Sequence, residues 1–451
     1  MNTKVFVYRQ IARVMLECVT PIAIGDGTKD ILTDAKVLTD ANGLPFIPGT
    51  SLAGILRHAV GDATDYLWGF QRGKCGQGSR VIFTDAKLVD GDGTVSDGLV
   101  DRLSDFAQRY MSLPIRQHVN INQVGVASKG GKFDNEVVFA GTRFVFEVEI
   151  LDDDAETVKA EMKQLRELIS LPAFRVGGNT RRGLGQMRVV SWKERTIDMA
   201  DIVDRNAYLA KSSSLTDLSF WRDIEDIADD SMASVTGEDW IAYRLILKPE
   251  DLFSFGSGLG DNEVDDAPLL ETVVEWDHNG VGKFVDRRIV IPGSAVKGAL
   301  SHRLAFHYNR LVGRYADKMS NDERDDCVGG NNFAVAMLFG KQSDKISRGN
   351  VIVGDCFPTE QASFAILNHV SIDPYTGGAI DGALYDEKVV SLRNDLTMII
   401  YVEACAINDE KVREAWECTL DDVCNGMLPL GGAVNRGHGV FGGTWELISN
   451  D

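Results

Sequence analysis

Paired cysteines, long apolar runs and an excess of positive charge are all missing from this chain of 451 residues. Its seven cysteines, Cys18, Cys75, Cys327, Cys356, Cys405, Cys418 and Cys424, form no C-x-x-C pair, and their odd number argues against a complete disulfide framework. Cys405 and Cys418 sit in apolar segments and read as core fillers. No apolar run approaches the ~20 residues that a membrane span needs. Met1-Asn2-Thr3-Lys4 leads straight into a strand-like segment instead of a signal h-region. A cytoplasmic protein with no membrane partner is expected. Lys and Arg total 47 against 67 Asp and Glu, a net charge of −20, which is wrong for indiscriminate binding to phosphate backbones. The acid is local, however. Much of it falls in Asp223 to Asp239 and Asp322 to Asp326, so a narrow basic groove can coexist with acidic outer faces.

What is present is a message written twice. Ile47-Pro48-Gly49-Thr50-Ser51 recurs as Ile291-Pro292-Gly293-Ser294. Gly177-Gly178-Asn179-Thr180-Arg181-Arg182-Gly183-Leu184-Gly185 recurs as Gly431-Gly432-Ala433-Val434-Asn435-Arg436-Gly437-His438-Gly439. Arg13 and Arg244 are separated by 231 residues, Gly49 and Gly293 by 244, His118 and His369 by 251, and Gly177 and Gly431 by 254. Landmarks that keep their order while the spacing drifts imply a duplicated domain with loop insertions, not a short-period solenoid. Leu67-Trp68-Gly69 against Leu338-Phe339-Gly340 departs from the trend at 271, which predicts a longer first helical region and a shorter later loop in the second copy. With 44% apolar and 25% charged residues the chain is an ordinary globular one, long enough for two or three cores.

Each copy reads as strand, loop, helix, two strands, helix, strand. In the first, Val5 to Cys18 alternates as a strand, and Leu52, Ile55 and Leu56 mark a helix over 50–60. Residues 81–83 and 143–150 then read as strands, Val158, Met162, Leu165 and Ile169 as a helix face, and 186–190 as the closing strand. The second copy answers with Val412, Trp416, Leu420 and Val423 and a last strand over 441–447. That order is the β-α-β-β-α-β pattern of an α+β, ferredoxin-like domain. Residues 1–198 form the first domain, 199–239 an acidic linker and 240–451 the second. The polar, Gly-rich insertions 122–138 and 373–389 read as long projecting hairpins.

Two elements carry candidate chemistry. The Gly-Gly-x-x-x-Arg-Gly-x-Gly loop lies between a helix and the last strand, so it is not a dinucleotide-binding G-x-G-x-x-G, which follows a strand and opens a helix. Its glycines allow close backbone approach, and Arg182 and Arg436 offer a fork that suits phosphate oxygens; a plain structural turn is the competing reading. The Pro-Gly-[Thr/Ser] element reads as a helix start with Thr50, Ser51 or Ser294 as the cap, and free N–H groups for an anion. Lys297, one turn inside the second helix, favours phosphate there, whereas Ala53 stands at the matching place in the first.

The segments Leu44-Pro45-Phe46-Ile47-Pro48-Gly49-Thr50-Ser51-Leu52-Ala53-Gly54-Ile55-Leu56-Arg57 and Ile291-Pro292-Gly293-Ser294-Ala295-Val296-Lys297-Gly298-Ala299-Leu300, each followed by the arginine-bearing glycine loop, resemble the RAMP superfamily. Within it they are most similar to backbone subunits of type III CRISPR effector complexes, in tandem as in the fused type III-D variants. The resemblance implies two RRM-like palms, each with a thumb-like hairpin that kinks a guide–target duplex. Implied partners are CRISPR guide RNA, complementary target RNA, the large subunit and other backbone subunits. It also implies cleavage of target RNA by an aspartate ahead of the Pro-Gly element, with Mg²⁺ or another divalent metal. Asp34 is the best match in the first copy, with Asp26 and Asp30 also open, and Asp266 in the second, with Asp265 a near equal; Asp34 and Asp266 would hold the metal. The RNA-binding set would be Gly49, Thr50, Ser51, Arg57, Arg181, Arg182, Gly183, Ser294, Lys297, Arg436 and Gly437. The family's first loop often carries a His-x-Gly; here Ala23-Ile24-Gly25 and Ser254-Phe255-Gly256 occupy it, which weighs against guide processing by that histidine. A non-catalytic guide-binding scaffold is the main alternative to a nuclease. His118 and His369 recur at the hairpin bases, in packing or in RNA contact.

Overall fold

A computed structural model describes residues 6–28, 33–60, 65–73, 75–122, 124–228, 239–341, 347–358 and 362–448. Asp30 and the acidic residues between 229 and 238 lie outside the described residues.

The duplication extends to strand order, although the first sheet adds the short strand Lys87–Leu88 and a bulge at Met15/Leu16. In the first module the strand Tyr8–Cys18 lies between Arg143–Asp152 and Met187–Asp198, with Val81–Phe83 at the far edge, all antiparallel. In the second, Trp240–Pro249 lies between Leu396–Glu403 and Phe441–Ile448, with Val351–Val353 at the same edge. Ile11 faces Glu149 as Ala242 faces Tyr401, and Cys18 faces Met187 as Pro249 faces Phe441. This is the α+β, ferredoxin-like arrangement, twice.

The helices form because their apolar periodicity is sound and their starts are capped. Val158, Met162, Leu165 and Ile169 of the helix Ala155–Ser170 are fully buried, and Asp154 caps it by accepting from the Thr157 N–H at 2.9 Å. Val412, Trp416, Leu420 and Val423 of Glu410–Cys424 are buried in the second core, with Asp409 as cap. Each such side chain contributes roughly 1.5–3 kcal/mol by leaving water.

The drifting offsets now have causes. An extra hairpin, Leu270–Trp276 with Gly282–Ile289, precedes the Pro-Gly element of the second copy. The helix Gly293–Leu311 outruns Gly49–Val60 and is followed by the short helices Asn321–Asp325 and Phe333–Phe339. The first copy instead carries the short helix Asp105–Gln108 between its edge strand and its long hairpin.

That extra hairpin joins the modules. Trp276 Nε1 donates to the Gly141 carbonyl at 2.7 Å, Val274 N donates to Ala140, and Phe284 packs on Phe106, Tyr110 and Phe139 at 4.7 to 5.6 Å. A side chain on Gly141 would collide with the Val274 carbonyl, at 1.8 Å from its Cβ. Nor do residues 199–228 hang free. They cross the outer face of the first sheet, where buried Arg13 donates to the carbonyls of Ser214, Leu215 and Asp217 at 3.2, 3.1 and 2.7 Å, and Trp221 is wholly buried. The matching Arg244 is half-exposed and pairs with Glu446 at 2.8 Å.

The projecting hairpins are Ile115–Ile121 with Ala127–Glu136, and Ser363–Ile372 with Ala379–Ser391. Both begin earlier than the Gly-rich insertions indicate, because those insertions hold only the turn and the returning strand.

Candidate functional site

Each hairpin base meets the first loop of its own module through a pair of aspartates. Asp34 N donates to Asp134 Oδ1 at 2.8 Å, and Asp134 N donates back to Asp34 Oδ2 at 3.3 Å. Asp265 N donates to Asp386 Oδ1 at 2.8 Å, and Asp386 N returns to Asp265 Oδ2 at 3.2 Å. The structural counterpart of Asp34 is therefore Asp265. Asp266 aligns with Ala35, since Lys388 N bonds the Asp266 carbonyl as Glu136 N bonds the Ala35 carbonyl. Asp34 and Asp265 are both exposed. Burial, with Glu387 adding to it, raises the Asp266 carboxyl above its usual range, and Arg436 opposes the shift. Asp26 is consumed locally: its carboxylate accepts from Thr28 N and Oγ1 at 2.7 and 2.8 Å, which lowers its pKa.

Beside each aspartate pair stands a stacked platform. His118 lies on Phe133 with ring centroids 4.9 Å apart, and the Arg182 guanidinium sits 5.5 Å from the Phe133 ring. His369 lies on Tyr385 at 4.9 Å, and Arg436 sits 5.6 Å from the Tyr385 ring. Arg182 and Arg436 reach these rings because the glycine loop turns left-handed at matching points, φ 54° at Asn179 and at Ala433, then 114° at Gly183 and 94° at Gly437. An aromatic face and an arginine are what a single-stranded nucleotide needs for stacking and phosphate contact. Burial and then Arg116 lower the pKa of His118, while its Nε2 pairs with Asn135 Oδ1 at 2.9 Å.

The helix starts differ from their expected role. Pro292, not a serine, holds the cap position of Gly293–Leu311, and Asp355 Oδ1 accepts from Gly293 N at 2.8 Å. Asp85 Oδ1 does the same for Gly49 N at 3.0 Å. An internal carboxylate thus already meets part of each positive helix end. The glycines serve a close approach: a Cβ on Gly49 would lie 2.7 Å from the Phe83 carbonyl, and one on Gly293 2.3 Å from that of Val353. Thr50, Ser51 and Ser294 follow within the first turn, and Pro292 at the cap of the second helix makes no side-chain cap bond. Arg57 is half-exposed at the far end of its helix, 3.8 Å from Asp65.

Three of the expected RNA contacts are absorbed by the module junction. Gly183 packs against Asp355, where a Cβ would come within 2.0 Å of Oδ1. Lys297 Nζ donates to the Arg181 and Val351 carbonyls at 2.9 and 3.3 Å, and burial together with Arg181 and Arg182 brings its pKa down to about 7. Arg181 pairs with Glu403 at 3.0 Å. The key to the junction is Arg116, buried between Glu271 and Asp355, at 2.7 and 2.5 Å. In the second module Asn435 stands where Arg181 does, and Gly437, the counterpart of Gly183, is exposed with nothing near it.

Sequence reasoning missed Asp134, Asp386, Asp355 and Arg116. The first two had a signal, since Phe133-Asp134 and Tyr385-Asp386 repeat one hairpin step. Arg116 had none; Leu367 stands at its place in the second copy.

No group of three or more His, Cys, Asp or Glu arranged to hold a metal occurs among the described residues. Two carboxylates per module do fit Mg²⁺, which keeps several waters and takes one or two carboxylates plus substrate phosphate. Asp34 with Asp134, and Asp265 with Asp386, would hold it.

Two ferredoxin-like modules, each with an arginine and aromatic platform at a hairpin base, define a tandem α+β protein of the RNA-binding kind. The chain belongs to the RAMP superfamily, whose sequence model matches residues 15–188 and 278–441, most of both modules. Membership places it among CRISPR-associated RNA-binding proteins, which act in RNA–protein complexes. No curated protein matches the chain. Among the described residues no helix is long and apolar enough to cross a membrane.

Proposed function

We propose that this protein is a two-module backbone subunit of a type III CRISPR complex, of the fused III-D kind, that holds guide RNA and cuts complementary target RNA once per module. The observation that carries it is the repeated pair, exposed Asp34 with partly buried Asp134 and exposed Asp265 with partly buried Asp386, beside an arginine and aromatic platform at each hairpin base.

The work asked of the protein is modest, because RNA brings its own nucleophile in the 2′-OH. Stacking on Phe133 or Tyr385 splays a nucleotide, Arg182 or Arg436 holds its phosphate, and the 2′-oxygen is placed in line with phosphorus. The aspartates keep a carboxylate at that point by their reciprocal backbone bonds. A bound Mg²⁺ supplies charge stabilisation on the phosphate. Solvent takes the 2′-OH proton as O2′ bonds to phosphorus, the P–O5′ bond breaks, and water protonates the departing O5′, leaving a 2′,3′-cyclic phosphate and a 5′-OH.

The test is the assembled complex with guide, labelled target and Mg²⁺. Asp34→Ala with Asp265→Ala abolishes both cuts and leaves target binding intact. Unchanged cutting would make the protein a scaffold.

A further inference from the structure

The junction between the modules gathers more positive charge than it neutralises. Arg175 and Arg181 come from the segment that follows the helix Ala155–Ser170, and Arg348 comes from the second module. Arg175 is 7% exposed, and its guanidinium lies 5.7 Å from the Tyr401 ring. Arg181 lies 5.5 Å from the Trp240 ring, and Trp240 and Tyr401 pack in one cluster on the second sheet. Among the described residues Glu403 is the one carboxylate paired with these arginines. Its Oε1 accepts from Arg181 at 3.0 Å and from Arg348 at 2.8 Å, while another Arg348 nitrogen meets His58 Nε2 at 3.2 Å. Lys297, whose Nζ donates to carbonyls, adds a further cation beside Arg181.

Arg175 is the costly member. Its Nη1 donates to the Pro172 and Phe174 carbonyls at 2.5 and 3.0 Å. Its buried Nε and Nη2, and the buried Nη1 of Arg181, meet no acceptor among the described residues. A buried charge without a counter-charge is unfavourable, and unmade hydrogen bonds add to the cost. Burial, with Arg181 adding to it, brings the Arg175 pKa down to about 10, so the charge persists at neutral pH. The second module has none of this, for Pro429 and Asn435 stand where Arg175 and Arg181 do. The surplus therefore belongs to the junction, not to the glycine loop as such.

Unsatisfied donors on two planar guanidiniums, in a setting short of negative charge, suit an oxyanion with several acceptor oxygens. Burial sets its size. With Arg175 7% exposed, a nucleic-acid strand does not reach its guanidinium unless the modules part. We propose that the module junction binds one small tetrahedral oxyanion, inorganic phosphate being the type, through Arg175 and Arg181 beside Tyr401 and Trp240. The anion neutralises the surplus and fastens the first module to the second. This site is separate from the aspartate pairs and from the platforms at the hairpin bases, so it stands or falls independently of target cleavage.

The purified, RNA-free full chain is titrated with sodium phosphate against chloride at constant ionic strength, by calorimetry and by thermal unfolding. Expected is saturable binding of phosphate at this site and a Tm that rises with its occupancy. Arg175→Met and Arg181→Met should each weaken that binding about 10-fold or more. Arg244→Met, which removes a surface arginine paired with Glu446, should leave it unchanged. Because Arg175→Met also gives up two carbonyl bonds, Arg181→Met serves as the independent variant. A Tm rise of equal size in the parent and both variants would be the general effect of an excluded anion and would overturn the proposal. Absence of saturable phosphate binding would do the same. So would protection by a short single-stranded RNA that needs Arg175 where phosphate gives none, since the donors would then serve an RNA backbone.

Discussion

Asp265 and Asp386 exchange backbone-to-carboxylate hydrogen bonds at 2.8 and 3.2 Å, the same reciprocal pair that Asp34 and Asp134 make at 2.8 and 3.3 Å. Such a pair ties the first loop to the hairpin base and leaves the loop aspartates, Asp34 and Asp265, exposed. It also resolves which second-loop aspartate matches Asp34. Asp265→Ala should therefore remove the cut made by the second module, while Asp266→Ala leaves it in place. Target-cleavage gels in Mg²⁺ with each single variant check this.

Arg116 is the hinge pin of the tandem, with Glu271 and Asp355 both on the other module. Burial by itself would favour loss of its proton; the two carboxylates hold it charged. Arg116→Met leaves two buried carboxylates facing each other and should cost about 3–5 kcal/mol. Urea unfolding followed by tryptophan fluorescence should show the loss at the junction, where Trp276 sits.

Two glycines with the same backbone should respond differently. Gly183 and Gly437 both lie at positive φ, so alanine costs each about 1–2 kcal/mol for the left-handed conformation. Only at Gly183 does the new Cβ strike Asp355. Gly183→Ala should thus lower Tm well beyond Gly437→Ala, and calorimetry of the pair reads the difference.

Lys297 titrates near 7 in the folded chain against 10.5 as its ordinary value. Between those values the unfolded chain binds more protons, so the lysine's contribution to stability rises with pH over that window and is flat below it. Lys297→Met should compare best with the parent below pH 7 and lose ground steadily toward pH 10.5. Guide-RNA affinity should not change in this variant, whereas Arg182→Ala and Arg436→Ala should each weaken binding and lower its salt slope by about 1.

The sheets and helices were legible because their signals are local. Leu52 and Leu56, Val158 to Ile169 and Val412 to Val423 repeat at helical spacing, and the strands between them alternate. The platform was half legible: Arg182, Arg436, His118 and His369 stood out as repeats, yet their aromatic partners lie across a hairpin register that spacing does not reveal. Lys297 looked like a phosphate ligand because it puts positive charge at a helix start, and Arg181 because it sits in the arginine-bearing glycine loop. Their real neighbours come from the other module, through contacts separated by more than a hundred residues that no motif encodes. The choice between Asp265 and Asp266 needed the hairpin, since both precede the Pro-Gly element equally well.

The most direct test of the two-module account is a map of target-RNA cut positions in Mg²⁺ with Asp34→Ala and Asp265→Ala made separately in the assembled complex. The account predicts that each variant loses one cut and keeps the other, with the lost positions on opposite sides of the module junction. Loss of neither cut, or loss of both in either single variant, would contradict it.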